Sequence, residues 1–536
     1  MTLGRAPDQG SLVQPPTVRY VDDRLSPTSL FRLLHDDCHR LFPDSAFADL
    51  FREVGRASVP PRIVAVVMVL QRFEGLSDRE AVDRFTFDLR WKYAAGGLDL
   101  EYPGFVHTVL VDMRARLARS EKPKRIFEVV LDVAKSAGMV GRRRVLDSTP
   151  LYDAVATQDT VTMIRSSIRA LLRVADLALA TELRAVLKRD DDYVAAGKPA
   201  CDWDDKDARE ALVDALAHDA HAVLRVLDDR SLEGDVKEAA ALVATVVGQD
   251  LETAEDGRFR IARRVAPDRV ISTVDPEARH GHKTSAHGFD GFKGHIAIDP
   301  DSEIITAAVA TAGNVGDGSV TKELLPELMP EAQQGGTVQP GHEATGPALT
   351  EVLGDASYGT AEVLKHLDAA GVEANVKVQR APPPHEGFFT QDDFVIDTAA
   401  ATARCPQGVL VQLRVRKDGG AFGTFAPHCD DCPLRAKCTT SKTGRNINVH
   451  PEHDRIHRAR LHQQSEAWRR NYRATRPKVE RKLAHLMRRR HGGRRARMRG
   501  RERVAQDFLM LCAAVNLNRM AQLRAQPTPS ATASSV

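Results

Sequence analysis

Apolar residues recur every three or four positions over two long stretches of the chain, and this period predicts helices. In the first stretch, which extends to about residue 137, Ser58 and the proline pair that follows it signal a helix start. Proline is tolerated there because the first helical turn leaves its N–H groups unpaired in any case. Ser77 and Glu80 form a capping box that begins the next helix. A helix, a turn containing glycine and a second helix fit a helix-turn-helix and a plain helical bundle alike.

The second helical stretch spans about residues 161–247. Its leucines between Leu171 and Leu187 lie mostly three or four positions apart, and acidic patches such as 190–192 interrupt the pattern. We interpret this stretch as a helical subdomain that is inserted into the framework carrying the chemistry.

Shorter apolar runs with a different pattern predict strands. Residues 144–148 and 351–355 are two such runs, and each of them contains an aspartate at or next to its end. Residues 292–309 alternate between apolar and polar around a Pro-Asp turn, which is typical of a β-hairpin. After the second run, an amphipathic helix at 360–370 leads to a third strand at 374–378. Strand, helix and strand, with an aspartate at the carboxyl end of a strand, predict an α/β core.

The aspartates of the two runs, Asp147 and Asp355, are candidates for catalysis. Carboxylates at strand ends in an α/β sheet lie at the edge where ligands bind. Transfer at a phosphodiester needs charge neutralised on the attacking and leaving oxygens, which two hard cations about 4 Å apart and held by oxygen ligands provide. A third acid is then expected, and Glu480, within a basic helix, is our candidate. Taken singly, each aspartate fits a turn or a helix cap, and Glu480 fits an ordinary pairing on a helix surface.

The distribution of charge along the chain indicates a binding partner. The net charge of the 536-residue chain is only +3, but residues 468–503 hold 16 Lys or Arg against Glu480 and Glu502. Such a stretch suits a polyanion, so we favour nucleic acid over a solvated helix face without a partner. A hydrophobic content of 42% and a charged content of 28% are typical of soluble globular domains, and the length predicts two to four of them.

Localisation is predicted from what the chain lacks. It has no run near the roughly 20 apolar residues of a membrane span and begins without the basic and apolar regions of a signal peptide. Seven cysteines in so long a chain do not form a disulfide framework, which favours a reducing compartment. We therefore expect a cytoplasmic protein without a membrane partner, associated with the nucleoid when it is bound to DNA.

Four cysteines and four histidines offer further candidate sites. Cys429, Cys432 and Cys438, with Cys405 upstream, can supply four thiolates to a tetrahedral structural zinc, and free thiols or a redox function are the alternatives. The histidines and a lysine crowd one region, where a metal cluster, a hairpin facing DNA and solvated loop residues all remain open; they are His280, His282, His287, His295 and Lys293. From this group we choose Lys293 as a DNA contact.

The motifs taken together resemble those of bacterial insertion-sequence transposases with an InsH-type N-terminal domain and a DDE (Asp-Asp-Glu) core of ribonuclease-H-like fold. The resemblance rests on a block at 47–117, the strand at 145–147, G-F-K-G-H at 291–295, a turn at 311–317, G-D-A-S-Y-G at 354–359, G-R at 500–501 and N-L-N-R at 516–519. Arg476 and Glu480 match the R-x3-E of the family's third-acid signature. Tyr472 stands one position farther from Arg476 than in that signature, and Met487 followed by Arg488 stands where the family has lysine.

This resemblance implies an enzyme that cleaves DNA at the ends of an element and joins the freed 3′-hydroxyl to target DNA. It implies two Mg²⁺ (or Mn²⁺) ions held by Asp147, Asp355 and Glu480, and a homodimer that pairs two ends. The DNA contacts that we expect are Lys293, Tyr472, Arg473, Arg476, Lys478 and Arg488. Two alternatives stay open, a ribonuclease-H-like nuclease that only hydrolyses, and a DNA-binding protein derived from a transposase that has lost catalysis.

The predicted fold class is α/β, with a ribonuclease-H-like core, a helical N-terminal domain and two insertions. The predicted segments are a flexible arm (1–27), a helical DNA-binding domain (28–137), the core (138–160 and 269–380), a helical insertion (161–268), a cysteine-containing insertion before the last catalytic helix (381–455), a basic helical region that completes the core (456–522) and a disordered tail (523–536).

Overall fold

The computed structural model describes residues 1–6, 15–153, 156–284, 287–328 and 349–525. The Gly-, Pro- and Gln-rich composition of residues 331–347 predicts a linker, and this segment and the tail from residue 526 lie outside the described residues. No helix in the described ranges is both long enough and apolar enough to cross a bilayer.

Helices fill the chain before the first strand, as the apolar period predicts. In the described residues they are α1 (Pro16–Asp22), α2 (Leu30–Leu41), a 3₁₀ turn (Asp44–Leu50), α3 (Pro61–Glu74), α4 (Asp78–Phe87), α5 (Leu89–Ala94), α6 (Thr108–Arg119) and α7 (Arg125–Ser136). Helix α3 begins at the second proline after Ser58, and both hydrogen bonds of the Ser77–Glu80 capping box are present in α4. Residues 63–70 of α3 are all buried, which favours a helical bundle around α3 over a freestanding helix-turn-helix.

The prediction of a flexible arm at 1–27 is wrong for the residues that the structure describes there. Thr2 pairs with Ala57 as a β-bridge, and Val18 and Val21 of α1 are buried in the core of the bundle. These two valines lie on one face of a single helical turn, a short amphipathic pattern that the polar composition of residues 1–27 conceals.

After strand β1 (Arg143–Tyr152), a second group of helices has a hydrophobic core of its own. It contains α8 (Thr160–Val174), α9 (Leu177–Val186), α10 (Lys206–Leu227) and α11 (Gly234–Asp250), followed by a short strand pair, β2 (Leu251–Thr253) and β3 (Phe259–Ile261). Their buried side chains form a cluster separate from that of the bundle. A helical segment thus stands where the leucine period predicts one; its boundaries as a domain stay a prediction.

The main sheet is mixed and contains β1 with five later strands. These are β4 (Arg279–Thr284), β5 (His287–Ile298), β6 (Ile305–Ala312), β7 (Glu351–Gly354) and β8 (Glu373–Val376), with α12 (Thr321–Leu324) and α13 (Ala361–Ala369) between them. Strand β5 bonds β4 with its first half and β6 with its second half, and runs antiparallel to β1. On the other side of β1, β7 and β8 run parallel to it. The hairpin and the strand–helix–strand unit are both present, so the fold is α/β as predicted.

Between β8 and residue 525, the structure has two small sheets and three α-helices. The first sheet holds β9 (Val395–Asp397), β10 (Thr402–Arg404) and β11 (Leu410–Gln412), and the second holds β12 (Arg414–Val415), β13 (Ala421–Thr424) and β14 (Asn446–Val449). The helices are α14 (His453–His462), α15 (Glu466–Leu486) and α16 (Arg501–Arg524). Helix α16 packs on β6 and also on α2, α3 and α7, so it joins the sheet to the N-terminal bundle.

One side chain of α16 completes the hydrogen bonding of an edge strand. Asn516 is fully buried, and its amide accepts from the N–H of Ile305 and donates to the carbonyl of Ile305, each at 2.8 Å. Arg519, one turn further on, donates to the carbonyl of Ser302 at 2.7 Å. Strand β6 is therefore paired by β5 on one side and by this asparagine at its start on the other. The N-L-N-R motif acts here as a structural clamp.

Replacing Asn516 by alanine is expected to lower the free energy of unfolding by about 2 kcal/mol, because a buried N–H and a buried carbonyl lose their partner. Chemical denaturation of the full chain measures this. Gln522→Ala, an exposed position on the same helix, is the matched control and is expected to change stability by less than about 0.5 kcal/mol. Equal stability of the two variants would contradict the clamp.

Candidate active site

The register of two parallel strands brings the two aspartates level with each other. Val145 of β1 pairs with Leu353 of β7, and each aspartate lies two residues further along its chain. Two residues is the side-chain period of a strand, so Asp147 and Asp355 leave neighbouring strands at the same height. Asp147 lies within β1, whereas Asp355 directly follows the end of β7. The predicted position at a strand end is therefore right for Asp355 but wrong for Asp147, because β1 continues to Tyr152. The parallel register, and not a shared strand end, brings the two aspartates level.

Helix α15 contacts β1 and β7 and carries the third acid. Tyr472, Arg476 and Glu480 follow one another at four-residue intervals, so they lie along one face of the helix. The extra residue between Tyr472 and Arg476, compared with the family signature, therefore leaves the tyrosine on the face that meets the sheet. Its hydroxyl donates to the carbonyl of Gly354 at 3.3 Å, and its ring stacks on Trp468 with centroids 4.6 Å apart.

The guanidinium of Arg476 contacts all three acids. Its Nη1 and Nη2 lie 3.0 and 2.9 Å from the two carboxylate oxygens of Asp147. Nη2 is also 3.8 Å from Asp355 Oδ2, and Nη1 is 3.6 Å from Glu480 Oε1. The three predicted acids, which come from β1, the end of β7 and α15, thus surround a single cation.

The three carboxylates differ in their access to solvent. The side chain of Asp147 is 10% exposed, that of Asp355 38% and that of Glu480 62%. Burial is the largest influence on Asp147 and raises its pKa above the usual value, while the charge and hydrogen bonds of Arg476 act in the opposite direction. Burial disfavours the charge of Arg476 as well, but the neighbouring carboxylates outweigh it and its pKa is raised. Exposure to solvent therefore increases from the buried Asp147 through Asp355 to the open Glu480.

Polar contacts with Glu351 and Glu303 anchor α15 on either side of the stretch that carries Arg476 and Glu480. Before the acids, Glu351 Oε1 accepts a hydrogen bond from Asn471 of α15, and its Oε2 is 2.5 Å from Arg143 Nε of β1. After the acids, Glu303 accepts from Arg481. The ammonium of Lys482 lies near the same Glu303, and burial lowers the pKa of Lys482 to about 8. These contacts position the part of α15 that carries Glu480.

A second network lies beneath the acids and joins two motifs that the sequence analysis treated separately. Asp317, at the end of the 311–317 turn, accepts from Ser148 Oγ at 2.7 Å and from Lys293 Nζ at 2.9 Å. The Lys293 ammonium also donates to the carbonyl of Val315, and its side chain is only 12% exposed. Lys293 was our expected DNA contact in the hairpin, but here its ammonium is engaged inside the protein and supports the residue next to Asp147.

The histidines of this region do not form a metal cluster in the described residues. His295 is fully buried and shares a hydrogen bond with Thr311, and burial lowers its pKa to about 4, so it is neutral at physiological pH. His280 pairs with Asp290 at 2.7 Å, and its ring meets that of His282 edge to face. No group of three or more His, Cys, Asp or Glu side chains in the described ranges has the geometry to hold a metal ion.

Tyr358 is a residue that the sequence reasoning missed. It is fully buried, its hydroxyl has no hydrogen-bond partner among the described residues, and it lies close to Asp317, Asp147 and Asp355. Burial together with those carboxylates raises its pKa well above the usual value, so the phenol keeps its proton and can donate a hydrogen bond. Its place in the G-D-A-S-Y-G motif was the available signal.

The four clustered cysteines line one small cavity together with His428. None of them forms a disulfide, and Cys429 and Cys438 are buried. Burial is the main cause that raises the pKa of Cys438, and its three neighbouring cysteines raise it further. The thiols are therefore gathered in one place, although they do not meet the geometry of a metal site.

Comparison with known protein families identifies two domains. Residues 404–521 match the family model described as "Transposase DDE domain", and residues 20–116 match the one described as "Transposase domain (DUF772)". No curated protein and no solved structure matches the chain. The first range contains Arg476 and Glu480, whereas Asp147 and Asp355 lie outside both ranges.

The two matches confirm the resemblance to insertion-sequence DDE transposases. The matched DDE domain suggests a ribonuclease-H-like core, and the mixed sheet fits it. The chain thus carries transposase domains near both ends, and these support a transposase function and imply an enzyme that cleaves nucleic acid. Transposases act on DNA, so DNA is the partner that these domains indicate.

Arg476→Ala is expected to destabilise the metal-free protein by about 3 kcal/mol at neutral pH, because it leaves Asp147 buried without its counter-charge. The pKa of Asp147, already raised by burial, would rise further without Arg476. A raised pKa means that the folded state favours the protonated form of the carboxyl. The loss of folding free energy in Arg476→Ala is therefore largest at pH values above that pKa. It should shrink as the pH falls towards the unfolded value of about 4.

Denaturation between pH 4 and pH 8 measures this dependence. Arg473→Ala removes an exposed arginine from the same helix and serves as the control, with little expected effect at any pH. If the loss of folding free energy in Arg476→Ala does not change with pH, the charge that Arg476 balances is not that of the Asp147 carboxylate.

Proposed function

We propose that the chain is a transposase that cleaves DNA at the ends of an insertion element and transfers the freed strand to target DNA. The observation that carries this proposal is the convergence of Asp147, Asp355 and Glu480 around Arg476. Three acids from distant segments rarely share one point of a surface unless they share a ligand, because their charges repel one another. The transposase domains give that ligand a chemical context.

The chemistry of the donor set suits two divalent cations, although the three acids are held around Arg476 and are not arranged as a metal site in this structure. Asp147, Asp355 and Glu480 offer carboxylate oxygens, the ligands that Mg²⁺ and Mn²⁺ prefer. Bound cations would neutralise charge on the attacking and leaving oxygens of a phosphodiester. Asp147 occupies the central, buried position, and Arg476 uses the same carboxylate oxygens in its ion pairs, so Arg476 and the cations would compete for them. A guanidinium beside these acids also suits a phosphate oxygen, to which it can donate two parallel hydrogen bonds.

The DNA contacts expected on α15 and just after it remain part of this proposal. The contact expected at Lys293 of β5 does not. Tyr472 and Arg476 face the acids, and Arg473 is exposed one residue after Tyr472. Lys478 lies 3.5 Å from Asp301 and is partly exposed, and Arg488 is exposed just beyond the end of α15. These side chains would grip phosphates on either side of the reacting one. The engaged ammonium of Lys293 instead gives that residue a supporting role.

The proposal also covers the domain organisation, the oligomeric state and the location of the protein. We propose a core of β1, β4–β8 and α15, with the helices α8–α11 and the cysteine region as insertions. A homodimer that pairs two element ends, and a cytoplasmic, DNA-associated location, also belong to it. The alternatives are a nuclease that only hydrolyses and a DNA-binding protein without catalysis.

Asp147→Asn, Asp355→Asn and Glu480→Gln are each expected to reduce cleavage of end DNA by about a thousandfold or more, because a lost metal ligand costs several kcal/mol of transition-state stabilisation. Binding of end DNA should change little. Gel analysis of cleavage in Mg²⁺ or Mn²⁺ and a binding assay without metal measure the two properties. Glu466→Gln, an exposed acid in the first turn of α15, is the control and should cleave normally.

The same assays separate the alternatives. Cleavage that persists in one of the three variants removes that residue from the site. Joining of pre-cut ends to target DNA distinguishes a transposase from a nuclease. Binding without any metal-dependent cleavage in the unmodified protein would favour the non-catalytic alternative.

We also propose that the cysteine cavity holds a structural zinc, with Cys405, Cys429, Cys432 and Cys438 as ligands after small movements of their side chains. Purified protein is then expected to contain about one equivalent of zinc, and Cys432→Ser should lose it and unfold this region first. Elemental analysis and limited proteolysis test this. Less than half an equivalent of zinc in folded protein would leave free thiols as the better interpretation.

A further inference from the structure

A groove begins beside the second acid and leads away from the site. Its volume is about 1150 Å³, and it is lined by Ala356, which directly follows Asp355, by residues 377–383 after β8, by the 390–393 turn and by one side of α14 and α15. We call it the flank groove. Because its lining includes the residue after Asp355, the groove opens beside the acids.

The flank groove is strongly positive. The groove is lined by four exposed cations, Lys377, Arg380, Arg469 and Arg473, and none of them forms an ion pair with an acid of the described residues. A fifth cation, Arg460, is bound to an aspartate. Five cations therefore face only two carboxylates in the lining. Unpaired arginines and lysines along an open groove form the typical electrostatic footprint of a phosphate chain.

Both carboxylates of the groove are already engaged. Asp392 accepts from Arg460 at 2.7 Å, and Asp393 accepts from the N–H and hydroxyl of Thr390 at 2.7 and 2.9 Å. Neither of them neutralises the four exposed cations. An acidic ligand is therefore the complement that the groove lacks.

Contacts within the protein connect the groove to the loop at 354–359, which contains Asp355. The N–H of Lys377 donates to the carbonyl of Gly354 at 3.0 Å, directly before Asp355. A Cβ at Gly359 would come within 2.1 Å of the carbonyl of Lys377, so the last glycine of G-D-A-S-Y-G is required for this close approach. On the other side, the side chain of Gln463 holds both the N–H and the carbonyl of Val378. Lys377 is thus positioned by the same loop that positions Asp355.

Helix α15 continues the positive charge from the groove to the acids. Arg469, Arg473, Arg476 and Glu480 follow at intervals of three or four residues and lie along one side of the helix. Eleven residues of helix rise about 16 Å, which matches about five base pairs of duplex DNA. The row of side chains from Arg469 to Glu480 is therefore long enough to follow several phosphates of one DNA strand.

We propose that the flank groove binds the sugar-phosphate backbone of the DNA strand immediately beside the phosphodiester that the acids attack. This inference rests on the proposed function and adds the path of the substrate to it. Lysine and arginine side chains in the groove would bind phosphates, so DNA binding there would be independent of base sequence and sensitive to salt.

The test is a full-length variant, Lys377→Ala/Arg380→Ala/Arg469→Ala, measured with end DNA taken from the sequence that flanks the gene. Affinity is determined at several salt concentrations without divalent metal. Loss of three phosphate contacts should reduce the slope of log K against log salt by roughly 2.7, at about 0.9 per contact, and should weaken binding at least tenfold at low salt. The matched control is Arg173→Ala/Arg225→Ala/Lys237→Ala, which removes the same charge from exposed positions on α8, α10 and α11 and should leave the slope unchanged.

A second arm uses DNA that is shortened stepwise from either side towards the end of the element. The unmodified protein should lose affinity when the DNA on one side is trimmed, and the groove variant should be insensitive to that trimming. Equal salt slopes and equal responses to trimming in the two proteins would overturn the proposal. Because both arms measure binding alone, a protein that binds in this way but never cleaves would refute the proposed function and leave the groove as a binding site for the DNA backbone beside the three acids.

Discussion

Three carboxylates from distant parts of the chain surround one guanidinium, and the candidate site depends on this contact. Like charges repel more strongly where burial lowers the local dielectric, and Asp147 is almost entirely buried. Arg476 balances that charge and reaches Asp355 and Glu480 at the same time. One cation thus makes the close approach of three acids compatible with folding. It also places a phosphate-binding group at the point where the chemistry would occur.

The rest of the core keeps this contact in register. Glu351 and Glu303 anchor α15 on either side of Arg476, and α16 connects the sheet to the N-terminal bundle. Several family-like motifs serve this purpose. Asn516 completes the edge of β6, and Lys293 with Asp317 supports the strand residue after Asp147. Residues that are characteristic of a catalytic family can therefore act through packing, one layer away from the substrate.

The surface around the acids has the charge that a polyanionic substrate requires. The flank groove and the face of α15 form one positive strip that passes the three carboxylates, and the few acids within the groove are engaged by neighbours. Attraction to phosphate and repulsion among carboxylates thus act in the same small region. A buried, protonated phenol at Tyr358 adds a hydrogen-bond donor beneath it.

The sequence by itself determined the local elements and singled out the three acids as candidates. The periods of α3 and of the β5–β6 hairpin, and the capping box of α4, are properties of adjacent residues, so they could be predicted without a structure. Asp147 and Asp355 were visible because each stands at or within an apolar strand. Only the tertiary structure decided that residues 15–22 pack into the bundle, that Lys293 turns inward, that Tyr358 lies under the acids and that one arginine joins all three. Arg476 and Asp147 are separated by 329 positions. Contacts of that kind are set by strand register and helix packing across the whole core, and no local pattern of side chains encodes them.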